Sequence, residues 1–69
     1  MTQAEQFSEN LVYLQDKAGL SCNDLAKRVG VNVNSIYNLR RGRYLPTIEN
    51  LIKLARALDC SPALLLAGL

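Results

Sequence analysis

Only Gly30, Val31 and Asn32 separate two short runs of helically spaced apolar residues, and that gap limits the folds open to this chain. Leu25, Ala26 and Val29 mark the inward side of the first run, Cys22 to Val29, while Ile36 and Leu39 mark that of the second, Val33 to Arg40. Ser21 can cap the first helix, with Asp24 placing a carboxylate in its first turn; Gly30 ends it and Asn32 caps the next. So short a connection does not easily let two helices lie antiparallel side by side, so they are expected to cross steeply.

The flanking segments read as three more helices. From about residue 4 to 18, Phe7, Leu11, Leu14 and Ala18 recur at helical spacing, Tyr13 is expected to pack its ring at the rim of the core, and Gly19 ends the helix. After Gly42 comes a loop, Arg43 to Pro46, in which Tyr44 or Leu45 is expected to fold back as a plug. Thr47 caps a helix over 48–58 with a broad inward face of Ile48, Leu51, Ile52, Leu54, Ala55 and Leu58. Ser61 and Pro62 open a last helix over 62–67, where Leu64, Leu65 and Leu66 cannot all face one core. The prediction is a single all-α domain over 1–69 with five helices, and a content of 49% hydrophobic residues is enough to fold it.

Several function classes are disfavoured. No apolar run approaches the length of a membrane span, and no charged segment followed by an apolar one opens the chain, so the expected location is the cytoplasm and no membrane partner is expected. Cys22 and Cys60 are far apart and there is no histidine, which predicts free thiols and no metal site. Asp16, Asp24, Glu49 and Asp59 are scattered on solvent-facing positions, and a domain this small is not expected to enclose a useful pocket. The chain therefore reads as a non-enzyme with no catalytic residues, no cofactor and no small-molecule substrate.

Once the core positions are removed, Val33, Asn34, Tyr37 and Asn38 remain on the first two turns of the second central helix. Asparagine is a mediocre helix former, and an idle solvated face more often carries Glu, Lys, Gln or Ala. Asn34 and Asn38 each present a donor and an acceptor, the combination that matches the major-groove edge of adenine, and Val33 offers an apolar patch to a thymine methyl. Phosphates would be held by free N–H groups at the helix start at Cys22, by Asn23, Lys27, Asn32 and Ser35, and by Arg40, Arg41 and Arg43. The plainer reading has Asn32 and Asn34 competing as caps, Asn38 as ordinary polar surface and the arginines as a solvated patch.

The run LSCNDLAKRVGVNVNSIYNLRRGRYLPTIENLIKLARALDCSP resembles the phage-repressor and Cro-like, or lambda-repressor-like, helix-turn-helix domain. Leu25, Ala26, Gly30, Val31, Ile36 and Leu39 match its fold-defining positions, Arg41, Gly42 and Arg43 its basic turn, and Leu51, Leu54, Ala55 and Leu58 its core. The resemblance implies a five-helix fold and major-groove binding to double-stranded operator DNA by a prokaryotic or phage transcriptional regulator, with repression the expected mode. It makes Val33, Asn34, Tyr37 and Asn38 the base-facing set. It also implies a two-fold homodimer, for which Tyr44, Leu65 and Leu69 are the candidate surface residues. Cys22 stands where many members carry a glutamine that touches the DNA backbone, and a thiol is a poor substitute, which leaves that contact to N–H groups or Asn23. A protein-docking module, such as the partner-binding part of an antitoxin or regulatory complex, is the alternative.

Overall fold

Each helix of the computed structural model, which describes residues 1–69, begins at a side-chain oxygen that accepts a hydrogen bond from the first turn. Thr2 opens α1 (Gln3–Ala18), Ser21 opens α2 (Cys22–Val29), Asn32 opens α3 (Val33–Arg40), Thr47 opens α4 (Ile48–Ala57) and Ser61 opens α5 (Pro62–Leu65). The accepted bonds are 2.8–3.1 Å long. Such a cap typically contributes about 1 kcal/mol, so short segments that would fray alone are given fixed starts. Gly19 and Gly30 end α1 and α2 in the left-handed conformation expected of them.

One core joins the helices. Phe7 and Leu11 of α1, Leu25, Ala26 and Val29 of α2, Ile36 and Leu39 of α3, and Leu54 and Ala55 of α4 are buried with Leu58 and Leu65. Each fully buried side chain of this size contributes about 1.5–3 kcal/mol. α2 packs on α3 and α4, α1 on α3 and α5, and α4 on α5. The predicted all-α, five-helix architecture is the observed one, and no helix is long and apolar enough to cross a membrane.

The structure corrects several local expectations. α1 starts at Gln3, because Thr2 and Glu5 form a reciprocal capping box. Its buried stripe runs through Phe7, Ser8, Leu11 and Gln15, whereas Ala18 is exposed. Tyr13 is 61% exposed, with the Lys17 ammonium 5.6 Å from its ring centre, so it does not rim the core. Ile48 and Ile52 are exposed rather than inward; only α2 and α5 pack on α4, and the side of α4 that is covered carries Leu51, Leu54 and Ala55. Tyr44 and Leu45 are both exposed, and neither plugs the core. Leu58 caps α4 rather than extending it, and α5 is a single turn that stops at Leu65. Leu65 itself is fully buried, so it is a core residue and not free to form a dimer surface.

Candidate nucleic-acid interface

The two apolar residues of α3 that face inward leave its other side free. Ile36 and Leu39 are buried, while Asn34 and Tyr37 are exposed. Val33 and Asn38 are half-buried, Val33 packing against the core, so the four candidate base readers are not equally open. Asn34 donates its backbone N–H to Asn32 Oδ1 at 2.8 Å, and its exposed carboxamide makes no hydrogen bond within the fold, so it can offer both a donor and an acceptor. The expected competition for the cap is thus decided in favour of Asn32, whose oxygen is spent within the fold.

The phosphate candidates divide in the same way. At the start of α2, the first intrahelical bond runs from Leu25 N–H to Ser21 O at 2.9 Å, and the N–H groups of Cys22 and Asn23 ahead of it are left open. Asn23 and Lys27 are exposed, Ser35 is half-buried, and Cys22 is half-buried against the core. Arg41 and Arg43 are exposed, with Gly42 between them in the left-handed region at φ 71°. Arg43 N–H donates to Asn38 O at 3.2 Å, which fixes where the basic turn leaves α3. Arg40 is half-buried, and its guanidinium donates to Gln15 Oε1 at 2.7 Å. It is therefore tied into the fold rather than freely solvated with Arg41 and Arg43. The one ion pair of the chain is Lys53 with Glu49 at 3.2 Å, so none of these arginines is ion-paired with a carboxylate.

Sequence reasoning missed Gln15 and Ser8. Both are buried on α1 and both bond Arg40: Gln15 through the guanidinium, and Ser8 by donating its hydroxyl to the Arg40 carbonyl. The signal was present, since Gln15 continues the four-residue progression of Phe7 and Leu11.

Elsewhere the surface has one depression, of about 370 Å³, lined by Ala18, Leu20, Arg28, Ala57, Leu58 and Asp59. It is an open depression rather than an enclosed pocket. Its lining offers a single carboxylate and a single guanidinium, with no pair of groups suited to acid–base or nucleophilic work. Both cysteines are free thiols, and burial is the main cause that raises the Cys60 thiol above its ordinary pKa, with Asp59 adding to it.

The helix-turn-helix family model HTH_3 matches residues 13–65. Among solved structures, the restriction-modification controller protein C.AhdI from Aeromonas hydrophila is 32% identical, with 90% of this chain and 94% of that one covered and a TM-score of 0.85. The DNA-binding domain of the P22 C2 repressor is 34% identical over 99% of this chain and 88% of that one, with a TM-score of 0.87. The clp gene regulator ClgR from C. glutamicum is 26% identical, covering 96% and 86%, with a TM-score of 0.88. A search of curated proteins finds no match. On the match to the family model and the agreement in fold with these regulators, the chain belongs to the helix-turn-helix family, in its phage-repressor and Cro-like form.

Proposed function

We propose that this chain is a transcriptional regulator that binds double-stranded operator DNA, with α3 in the major groove, and that it acts as a repressor in the cytoplasm. The observation that carries this is the free face of α3: Asn34 and Tyr37 exposed opposite buried Ile36 and Leu39, beside arginines with no acidic partner. Asn34 and Asn38 read adenine edges, Tyr37 packs on sugar or base, and the accessible part of Val33 meets a thymine methyl. The open N–H groups at Cys22 and Asn23, with Lys27, Ser35, Arg41 and Arg43, hold phosphates; Asn32 contributes there only through its amide nitrogen. Membership in the family, and similarity to a controller protein, a gene regulator and a repressor DNA-binding domain, support the reading.

Binding as a homodimer fits a palindromic site with half-sites about 34–36 Å apart. Tyr44 and Leu69 are exposed, as are Leu64 and Leu66 beside buried Leu65, so the dimer surface is drawn from these four and not from Leu65. The exposure of Ile48, at 76%, favours a second reading in which a partner protein docks on α4.

Selection from a pool of random-sequence duplexes, followed by competition at fixed salt, tests the proposal. The expected result is one enriched sequence bound about a thousandfold more tightly than scrambled duplex. Equal affinity for selected and scrambled duplex overturns it.

A further inference from the structure

Gln15 stands where the packing stripe of α1 calls for an apolar side chain. It is 2% exposed, and its amide is fully engaged: Oε1 accepts from Arg40 Nη1 at 2.7 Å, while Nε2 donates to Leu20 O at 3.0 Å and to Cys22 Sγ at 3.4 Å. A buried amide without partners is strongly unfavourable, and with these three its orientation is fixed. The partners lie at both ends of the central helix pair, since Cys22 opens α2 and Arg40 closes α3. Ser8 holds the same arginine by its carbonyl.

We propose that Gln15 is a positioning residue for DNA binding, which holds the Arg40 guanidinium in place for a phosphate while leaving its charge intact. This rests on the DNA-binding function proposed above. A guanidinium has five N–H donors, Gln15 takes one of its nitrogens, and no other side chain bonds it. Arg40 is half-buried, so part of the residue meets solvent. The anchor is a neutral amide, and no carboxylate lies within ion-pair distance, so the guanidinium charge is not paired within the fold. Arg41 and Arg43 have no such anchor and must be ordered when DNA arrives. Arg40 has given up that freedom in the free protein, which strengthens the hold it then takes on a phosphate.

A cycle of Gln15→Met and Arg40→Met tests this, with binding of the selected duplex followed by fluorescence anisotropy over a range of salt and folding checked by circular dichroism. Arg40→Met is expected to lower the log–log salt slope by about 0.9 for each phosphate that Arg40 neutralises in the wild type. Gln15→Met is expected to weaken binding about threefold, because Arg40 must then be ordered as DNA binds, and to have no further effect in the Arg40→Met background. Gln15→Glu retains an acceptor for Arg40 but cancels its charge, and is expected to lower the salt slope as well. If Gln15→Met weakens binding equally in both backgrounds, Gln15 is merely structural and the proposal is overturned. Should Gln15→Met fail to fold, side-chain ¹⁵Nε relaxation of the wild type decides: Arg40 is expected to be more rigid than Arg41 and Arg43, and equal mobility overturns the proposal. A wild type that prefers no duplex removes the function proposed above as well, whereas a normal preference with an additive cycle removes only this inference.

Discussion

The Asn10 side-chain amide donates to the Leu65 carbonyl at 2.9 Å and to that of Ala67 at 2.7 Å, so a single side chain of α1 fastens the last turn of the chain. Asn10→Ala leaves those carbonyls unpaired and is expected to destabilise the fold by about 1–2 kcal/mol. In a domain of this size that lowers the melting temperature by about 4–8 °C per kcal/mol. Asn10→Asp sets a carboxylate against two carbonyls and should be worse than alanine, which thermal melts followed by circular dichroism will check.

Neighbouring leucines in α5 are expected to differ sharply. Leu65 is fully buried and Leu64 is 52% exposed. Leu65→Ala should cost about 2–5 kcal/mol, and Leu64→Ala no more than about 0.5 kcal/mol. Urea titration of the two variants measures the difference. Under the dimer reading, Leu64→Glu weakens self-association in analytical ultracentrifugation while the fold is kept.

For DNA recognition, Asn34→Ala should weaken binding to the selected duplex by about 1–3 kcal/mol and relax preference at one base pair. Arg43→Ala should weaken all duplexes about equally and reduce the salt slope by about 1. Anisotropy titrations with selected and scrambled duplex separate the two patterns. Loss of affinity without relaxed preference in Asn34→Ala would remove it from the base-reading set.

Gly30 and Gly42 both adopt positive φ, at 83° and 71°, but their surroundings differ. A Cβ on Gly30 meets nothing within 4 Å, whereas one on Gly42 would lie 3.2 Å from both Cα and Cγ of Glu5. Gly30→Ala should therefore cost only the left-handed backbone penalty of about 1–2 kcal/mol. Gly42→Ala should exceed it by about 1 kcal/mol, because backbone of α1 must move. The order of their melting temperatures tests this.

The Thr2 N–H donates to Glu5 Oε1 at 2.8 Å. This bond first, and the Thr2 hydroxyl second, hold the Glu5 carboxyl below its ordinary pKa of 4.5. A carboxyl whose pKa is lowered on folding contributes stability that is fully present above its unfolded value and lost as pH falls through the folded one. The cap of α1 should thus loosen below the ordinary carboxylate range. The fall in melting temperature from about pH 6 to about pH 3 should be smaller in Glu5→Gln than in the wild type, because glutamine has no proton to gain.

The sequence made the helices legible through their caps and spacing: Ser21, Asn32, Thr47 and Ser61 each stand where the structure starts a helix. It was less informative about which side of a helix is covered. Ile48 and Ile52 satisfy the period of a buried face, yet they are 76% and 40% exposed. Leu65 could not be told from Leu64 and Leu66 by residue type, since only the docking of α5 on α1 and α4 chooses among them. The bond between Gln15 and Arg40 was hidden because a polar residue on a stripe reads as its edge until its partner, distant in sequence, is seen. Asn34 and Tyr37 were legible because they are unusual on an exposed face and make no demand on the core.

That independence has an evolutionary consequence. Asn34 and Tyr37 meet solvent while the adjacent Asn32 secures the helix start, so the two tasks fall on different side chains. Under the proposed base-reading role, exchanges at 34 and 37 redirect the domain to new DNA sequences with little effect on folding, whereas Asn32 is free to vary only among residues that cap. A regulator built this way can diverge in target one side chain at a time without passing through unfolded intermediates.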